Sequence, residues 1–490
     1  MMEFINNSRN WIINHFSKDK VNRFSIVVIM VYYYVGLLSY ITVPIKPVYR
    51  LFTSGSSVAV VVRALMTAMM VLYCLLVVIV NKEKIQWKWA IVFTYILLFT
   101  LLSTAISPQT YNYIYESESN YGTVYWVQVS TGLNRLFTMY LSSISDYALA
   151  FCFLFILPIV INNRKQVLSL TLPIVVIGLL ECGYSIIRER GEYIKLINMV
   201  DPQYSGYNIN IGATFGNKED WGAFATVAFC STLASLFCLN AKGWKSLLLR
   251  VSLIIAAIII FAFSIASLCK TAIGAESFCL IIVLIGLVFM FYRENKVLFV
   301  AYLVLLSVLF LCVFIFLTVP SFHSEGILGK IYKVVNSYII SPVTGGAAAG
   351  RSAIWMRFVN NLRTYNLFFG LSKAGVSTYS QVITVEGQST IHNGIAYFFG
   401  SYGLLGISIY FVLIAIVLHR IIKLGFIDLE KSFLLGALFV SALVFSLSES
   451  EVLIVSSSNP IYIFNILLCS FSEGYWKKEK EQKKGLCLCV

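Results

Sequence analysis

The chain has 490 residues, 59% of them hydrophobic and 12% charged, with a formal net charge of +14. A mean hydropathy of +0.81 and apolar runs of about 18 residues or more along the whole length exclude a soluble globular domain. The positive charge does not mark a nucleic-acid binder, because the lysines and arginines fall in short connections between apolar runs.

Taken in order, residues Met1 to Arg23 carry Arg9, Lys18, Lys20 and Arg23 and precede a first apolar run at 24–43. That run is too long for a cleavable signal peptide, and no small-residue cleavage site follows it. Further spans are predicted at 57–80, 89–106, 136–161, 167–187, 220–240, 248–268, 272–292, 297–320, 393–418, 432–448 and 459–475. The fold class is therefore an all-α polytopic membrane protein with about 12 transmembrane helices in one integral membrane domain, 1–490. Alternate connections, beginning with Arg9–Arg23 and ending with the Lys477–Lys484 tail, hold more than half of the 37 lysines and arginines. By the positive-inside rule these connections and both termini are cytoplasmic. The segment 321–392, between the ninth and tenth spans, becomes a large extracytoplasmic loop.

Most of the eleven cysteines lie inside apolar runs and read as small membrane-embedded hydrophobes, neither a disulfide frame nor a metal site. The terminal Cys487-Leu-Cys489-Val490 superficially resembles a prenylation box, but a chain with this many spans needs no lipid anchor. The outer segment Ser107–Leu136 is rich in Tyr and Trp, which suit sugar rings and equally suit a membrane-interface belt; the belt is the preferred reading for most of them. Ionisable residues inside the spans (Arg63, Asp146, Glu181, Glu276) sit mostly toward the outer half. Charges at such depth face a polar cavity or a partner, with Arg63 pairing Asp146 or Glu181 as the example of a structural pair.

The longest polar interruption is Gly345–Gly406. A Gly-rich segment leads into a helical pattern in which Ile354, Trp355, Phe358, Val359 and Leu362 share one face. Arg351 sits in the first turn of that helix, where unpaired N–H groups favour anions. Arg357 and Arg363 follow, and His392 stands just before the next span. A basic amphipathic helix on the headgroups explains the arginines and the stripe, but not a histidine at the mouth of a span.

Gly350, Arg351, Trp355, Gly370, His392, Asn393, Gly400, Gly403 and Gly406 form a pattern that resembles the shared loop of the O-antigen ligase and O-antigen polymerase superfamily. The segment Ile211–Phe224 resembles the Thr-Phe-Gly-Asn turn that opens a span in the same superfamily. It departs from the pattern at Asn210, where an arginine is usual; Lys218 or Arg190 replaces its charge, or the site has one cation fewer. In Ser267-Leu-Cys-Lys270-Thr271, Lys270 stands where the family commonly has arginine, a point charge in place of a bidentate fork. A lysine snorkelling to the interface is the alternative there. Glu449, in Ser448-Glu449-Ser450-Glu451 before the last span, matches a region where the family often has a glutamate.

What the resemblance implies is a GT-C-like membrane glycosyltransferase of the bacterial cytoplasmic (inner) membrane, acting on the extracytoplasmic side. Its donor would be an undecaprenyl-diphosphate-linked oligosaccharide and its acceptor a second glycan. Arg351 is assigned to the diphosphate, with Lys270 and Arg357 as secondary cations, and His392 to the acceptor hydroxyl. Trp355, Lys218, Arg190 and Glu449 complete the candidate substrate-binding set. No cofactor, no metal and no nucleic acid is called for; a flippase and a chain-length regulator of the same pathway are expected partners. The departures at Asn210 and Lys270 favour a repeat-unit polymerase over a ligase that transfers glycan to a lipid A core or another acceptor. A lipid-linked glycan flippase is the rival from another class, disfavoured by an outer loop far longer than ordinary connections.

Overall fold

The computed structural model describes residues 2–38, 57–81, 94, 98, 114–115, 124–125, 164–197, 209–239, 243–294, 296–319, 329, 332, 364–370, 393–426 and 428–448. Among these residues the chain is helical apart from one short ladder and the segments that connect helices. Ile114–Tyr115 (β1) pairs antiparallel with Val124–Tyr125 (β2), in the register Ile114↔Tyr125 and Tyr115↔Val124. The ladder lies in the aromatic segment read from sequence as a loop, and its four residues are all strand formers.

The helices are α1 (Met2–His15), α2 (Lys18–Leu38), α3 (Ser57–Val80), α4 (Arg164–Arg188), α5 (Arg190–Ile197), α6 (Lys218–Cys238), α7 (Trp244–Ala266) and α8 (Lys270–Glu294). They continue with α9 (Lys296–Thr318), α10 (Thr364–Phe369), α11 (Gly394–Gly425) and α12 (Leu429–Ser448). Four of them, α4, α6, α7 and α8, are long and apolar enough to cross a membrane, and α11 makes a fifth when both its arms are taken as one span. The expected spans at 89–106, 136–161 and 459–475 lie outside the described residues except for positions 94 and 98, as does the amphipathic helix after Gly350. The tenth span differs from its expected form. It is not one straight helix over 393–418 but a helix to Gly425 broken at Gly403, where φ is 67° and ψ −165°.

The chain divides into two compact units, one from Met1–Gln166, Ala353–Arg420 and Ser446–Val490, the other from Val167–Ser352 and Ile421–Phe445. In the first unit, Asn22 and Asn81 exchange amide hydrogen bonds of 3.1 and 2.9 Å. Ser25 Oγ and Tyr73 Oη both donate to Val21 O at 2.8 Å. The break in α11 is filled by α10: a side chain on Gly370 would strike the backbone of Ser401 and Tyr402, and one on Gly403 the backbone of Phe368 and Phe369. Both glycines have positive φ, 78° and 67°, which L side chains rarely adopt.

The second unit is built around α6, which is buried on nearly every face. Lipid tails are as apolar as leucine, so helices associate in a bilayer by close packing and hydrogen bonds. The sequence of α6 meets that demand with Gly222, Ala223, Ala225, Ala228 and Ala234 and with the hydroxyls of Thr226, Thr232 and Ser235, which bond internally or to neighbours. Ala228 packs against Gly178 of α4, where an added Cβ would come within 2.9 Å. Ser235 Oγ donates to Thr171 Oγ1 of α4 at 2.6 Å, and Cys230 Sγ contacts Ser441 Oγ of α12 at 3.7 Å. Gly222 admits Cys269 of the α7–α8 turn. Arg250 closes the far end by donating to Leu239 O at 2.6 Å. By contrast α7 and α9 leave Ile254, Ile255, Ile258, Val304, Leu305 and Phe310 exposed, the surface lipid would cover.

Replacing Gly403 by Ala tests the interrupted helix. The left-handed backbone alone costs about 1–2 kcal/mol for an L residue, and the contact with Phe368 adds to it. The thermal midpoint of detergent-solubilised Gly403→Ala should fall, while Gly183→Ala, with nothing near its added Cβ, should leave it unchanged or slightly higher.

Candidate functional site

The best-defined polar constellation lies in the second unit, where the chain leaves α4, forms α5 and returns to start α6. The return segment Ile209–Asn217 contains a single 3-10 turn, Ala213–Phe215, ended by Gly216 with φ 71°. Ala213 itself has φ 50°. A turn of this shape has no ladder to use its N–H groups, and buried backbone donors require partners. Three glutamates supply them. Glu189 accepts from Gly212 N at 3.0 Å and Ala213 N at 3.1 Å. Glu181 accepts from Thr214 N at 3.1 Å and Thr214 Oγ1 at 2.8 Å. Glu192 accepts from Asn210 N at 3.2 Å and from Lys195 Nζ at 2.6 Å.

Asn210 closes the turn from inside. Its Nδ2 donates to Gly216 O at 2.9 Å, and its Oδ1 accepts from Lys218 N at 3.0 Å. Asn217 then caps α6 by accepting from Glu219 N at 3.1 Å. Ser185 Oγ donates to Glu189 at 2.7 Å, which leaves the Tyr193 hydroxyl, also at 2.7 Å, as the donor to Ser185. Burial, together with the nearby carboxylate of Glu189, pushes the Tyr193 phenol up to about 12 against the lowering effect of Ser185, so it keeps its proton across the physiological range. Burial pulls the Glu192 carboxyl upward, but Lys195 and the Asn210 N–H outweigh it and hold the group below its ordinary range.

The α7–α8 turn, Ser267–Cys269, packs against this segment. Leu268, at φ 57°, is buried with Ile209 and Ile211, and Tyr193 and Leu196 of α5 complete the cluster. Of the residues expected from sequence, Lys270 is the first residue of α8 and is exposed, Lys218 is the first of α6 and half-buried, and Arg190 is the first of α5 and exposed. The fold thus places these three cations at the same end of the second unit. The basic connections 239–244, 293–296 and 423–431 lie at the opposite helix ends. Arg351, Trp355, Arg357, His392 and Glu449 lie outside the described residues, and so do Asp146 and the side chain of Arg63. Asn393, which follows His392, caps α11 by accepting from Ala396 N at 2.8 Å and donates to Leu447 O at 3.1 Å, two residues before Glu449. The sequence neighbours of His392 and Glu449 are therefore in contact.

The sequence reading missed Glu189 and Glu192. Their signal was the run Glu189-Arg190-Gly-Glu192 directly after a span, in which carboxylates face the returning turn. It also treated Asn210 as a lost cation, whereas its amide is a structural clasp that both donates and accepts. Among the described residues Glu181 is bonded to Thr214; its expected pairing with Arg63 involves a side chain outside them. Among the described residues there is no group of three His, Cys, Asp or Glu that would hold a metal ion. No protein-family model matches the chain, and no curated protein sequence matches it.

Hydrogen bonds to a charged acceptor contribute about 1.5–3 kcal/mol each when buried, and Glu189 is only partly buried, so its share is smaller. Glu189→Gln should lower the unfolding free energy measured by chemical denaturation by about 1 kcal/mol. The Glu192 contribution carries the sign of a depressed carboxylate: present above the unfolded value near 4.3, and lost as pH falls through the lower folded value. Stability measured from pH 7 to pH 3 should therefore decline less steeply in Glu192→Gln than in the unaltered protein.

Proposed function

We propose that this chain is a membrane glycosyltransferase of the repeat-unit polymerase kind, with twelve spans, a GT-C-like arrangement and both termini in the cytoplasm. It would join the sugar at the reducing end of an undecaprenyl-diphosphate-linked oligosaccharide to a hydroxyl of a second such glycan, in the cytoplasmic membrane of a bacterium. The observation that carries the reading is the packing of the Ile209–Asn217 turn on the Ser267–Cys269 turn. These are two of the four segments on which the family resemblance rests, and they are far apart in sequence. Their union sets Lys218, Lys270 and Arg190 at one end of the helices, away from the basic connections.

The chemistry follows from the leaving group. A polyprenyl diphosphate departs readily when cations stabilise its developing charge. Arg351 takes that role, with Lys270 and Arg357 beside it. The acceptor hydroxyl needs placement and a proton acceptor, which a neutral imidazole provides; His392 is that group. Trp355, Lys218, Arg190 and Glu449 complete the substrate-binding set, and a flippase and chain-length regulator of the same pathway are the expected partners.

Gel analysis of surface glycan after gene deletion separates the possibilities. Single-repeat glycans are the expected result; full-length chains left on the carrier would instead mean a ligase, and internal accumulation a flippase. In the same host, Arg351→Ala should abolish polymer at normal membrane level of the protein, with Arg351→Lys restoring it only in part because the fork is lost. His392→Ala should lose transfer by roughly a hundredfold or more. Unchanged turnover of purified His392→Ala on lipid-linked donor would remove the base from the mechanism.

Topology is tested separately. Reporter fusions after Lys84, Lys165, Lys245 and Lys296 should read cytoplasmic, and one at Gly387 should read outside. A cytoplasmic signal at Gly387 would put the proposed catalytic segment in the wrong compartment.

A further inference from the structure

Glu276 has no part in the proposed chemistry, yet its position is the most costly in the described structure. It lies within α8, a membrane-crossing helix, and is fully buried. Its Oε1 accepts from Ser264 Oγ of α7 at 2.8 Å. Among the described residues its Oε2 receives no hydrogen bond. Thr226 of α6 stands beside the carboxyl. The Thr226 hydroxyl reaches both Gly222 O, at 2.9 Å, and the carboxyl, and its one proton serves one of them at a time; with that proton on Gly222 O, its oxygen lone pairs are left for the carboxyl's occupant. Among the described residues, the titratable groups facing Glu276 from the packed helices are the thiols of Cys230 on α6 and Cys182 on α4. None of these neighbours is a cation.

A carboxylate buried this deeply in a bilayer without compensation is too costly to persist. Two oxygen-bearing side chains from two other helices converge on it, and among the described residues one carboxylate oxygen has no donor. We propose that Glu276, Ser264 and Thr226 form a buried site for one exchangeable monovalent cation, a proton or a sodium ion, at the junction of α6, α7 and α8. Either occupant neutralises the carboxylate: a proton bonds to Oε2, and a sodium ion draws on the carboxylate and the two hydroxyl oxygens, all hard oxygen ligands.

The site is tied to the end of the bundle where Lys270 lies. Ser264 O accepts from Ser267 Oγ at 2.8 Å, and Ser267 Oγ accepts from Cys269 N at 3.3 Å. This ladder spans the turn in which Leu268 holds its positive φ. Occupancy of the cation site therefore fixes Ser264, and Ser264 anchors the turn from which α8 and Lys270 start. The inference does not depend on glycosyl transfer, and its test involves no enzymatic readout.

The full chain, purified in detergent, is examined by infrared difference spectroscopy and by thermal unfolding in NaCl against choline chloride at equal ionic strength. A proton at the site gives a protonated-carboxyl carbonyl band that is absent from Glu276→Gln, with no preference for sodium. A sodium ion gives a midpoint that rises with NaCl but not with choline chloride, a rise lost in Glu276→Gln. If Glu276→Gln fails to fold, Ser264→Ala takes its place. The carbonyl band should then shift as its hydrogen bond is removed, or the sodium-dependent rise should weaken; a band from Glu181 would do neither. A wild-type protein with no Glu276 carbonyl band and no sodium-specific stabilisation overturns the proposal, since Glu276 would then be ionised without a bound cation.

Discussion

Four consecutive-region backbone donors, the N–H groups of Asn210, Gly212, Ala213 and Thr214, have no helix or strand to bond to, and three glutamates accept all of them. The rest of the second unit depends on that satisfaction. Without it the return segment could not be buried against α4 and α5, because an orphaned buried N–H costs about as much as the packing it would gain. With it, Ile209 and Ile211 reach Leu268, Phe215 packs on Trp221 and Phe224, and α6 starts at a defined point with Asn217 as its cap. The carboxylates are thus part of the scaffold, although ionisable residues at a membrane-protein surface invite a catalytic reading.

How far the sequence revealed this varies by residue. Apolar runs placed α4, α6, α7 and α8 to within a few residues, because a helix crossing lipid must be continuous and of a set length. The start of α6 was readable too, since Gly216-Asn217 is a helix-opening pair with a stated mechanism. The break at Gly403 was not. Glycine is common in membrane helices, and only the partner segment ending at Gly370, more than thirty residues earlier, makes this one a break. Glu189 and Glu192 were missed for the same reason: which donors a carboxylate meets depends on where a later segment returns, and periodicity carries no such information. Glu276 was legible as an anomaly, a charge inside a span, but its surroundings were not. The sequence suggested a hydrated cavity there, whereas the structure buries the carboxyl among hydroxyls and thiols of packed helices.

The second unit separates two kinds of polar residue along one axis. At its end, glutamates face backbone donors and lysines start helices. Within the bundle, hydroxyls of Thr171, Thr226 and Ser235 bond to carbonyls and to one another, and that of Ser264 donates to Glu276. Such small hydroxyls let helices approach closely and satisfy themselves locally, so they cost little in lipid. Glu276 is the exception to that economy, which is why its compensation has to come from outside the side-chain set.

One consequence for recognition follows from the spent backbone donors. Loops that bind phosphate commonly do so with a nest of free N–H groups, which fix the anion's geometry. Here those N–H groups are occupied by Glu181, Glu189 and Glu192. An anion at this end has to be held by side-chain cations instead. The nearby candidates are lysines as well as arginines, and a lysine ammonium attracts charge without imposing the planar fork of a guanidinium. A site of that kind selects for charge and for the shape of whatever the charge is attached to, and only weakly for the detailed geometry of the phosphates. Under the proposed function, charge grows on the departing diphosphate, so the cations that bind it more strongly as it leaves are the ones that accelerate the reaction, because only interactions that grow in the transition state do so.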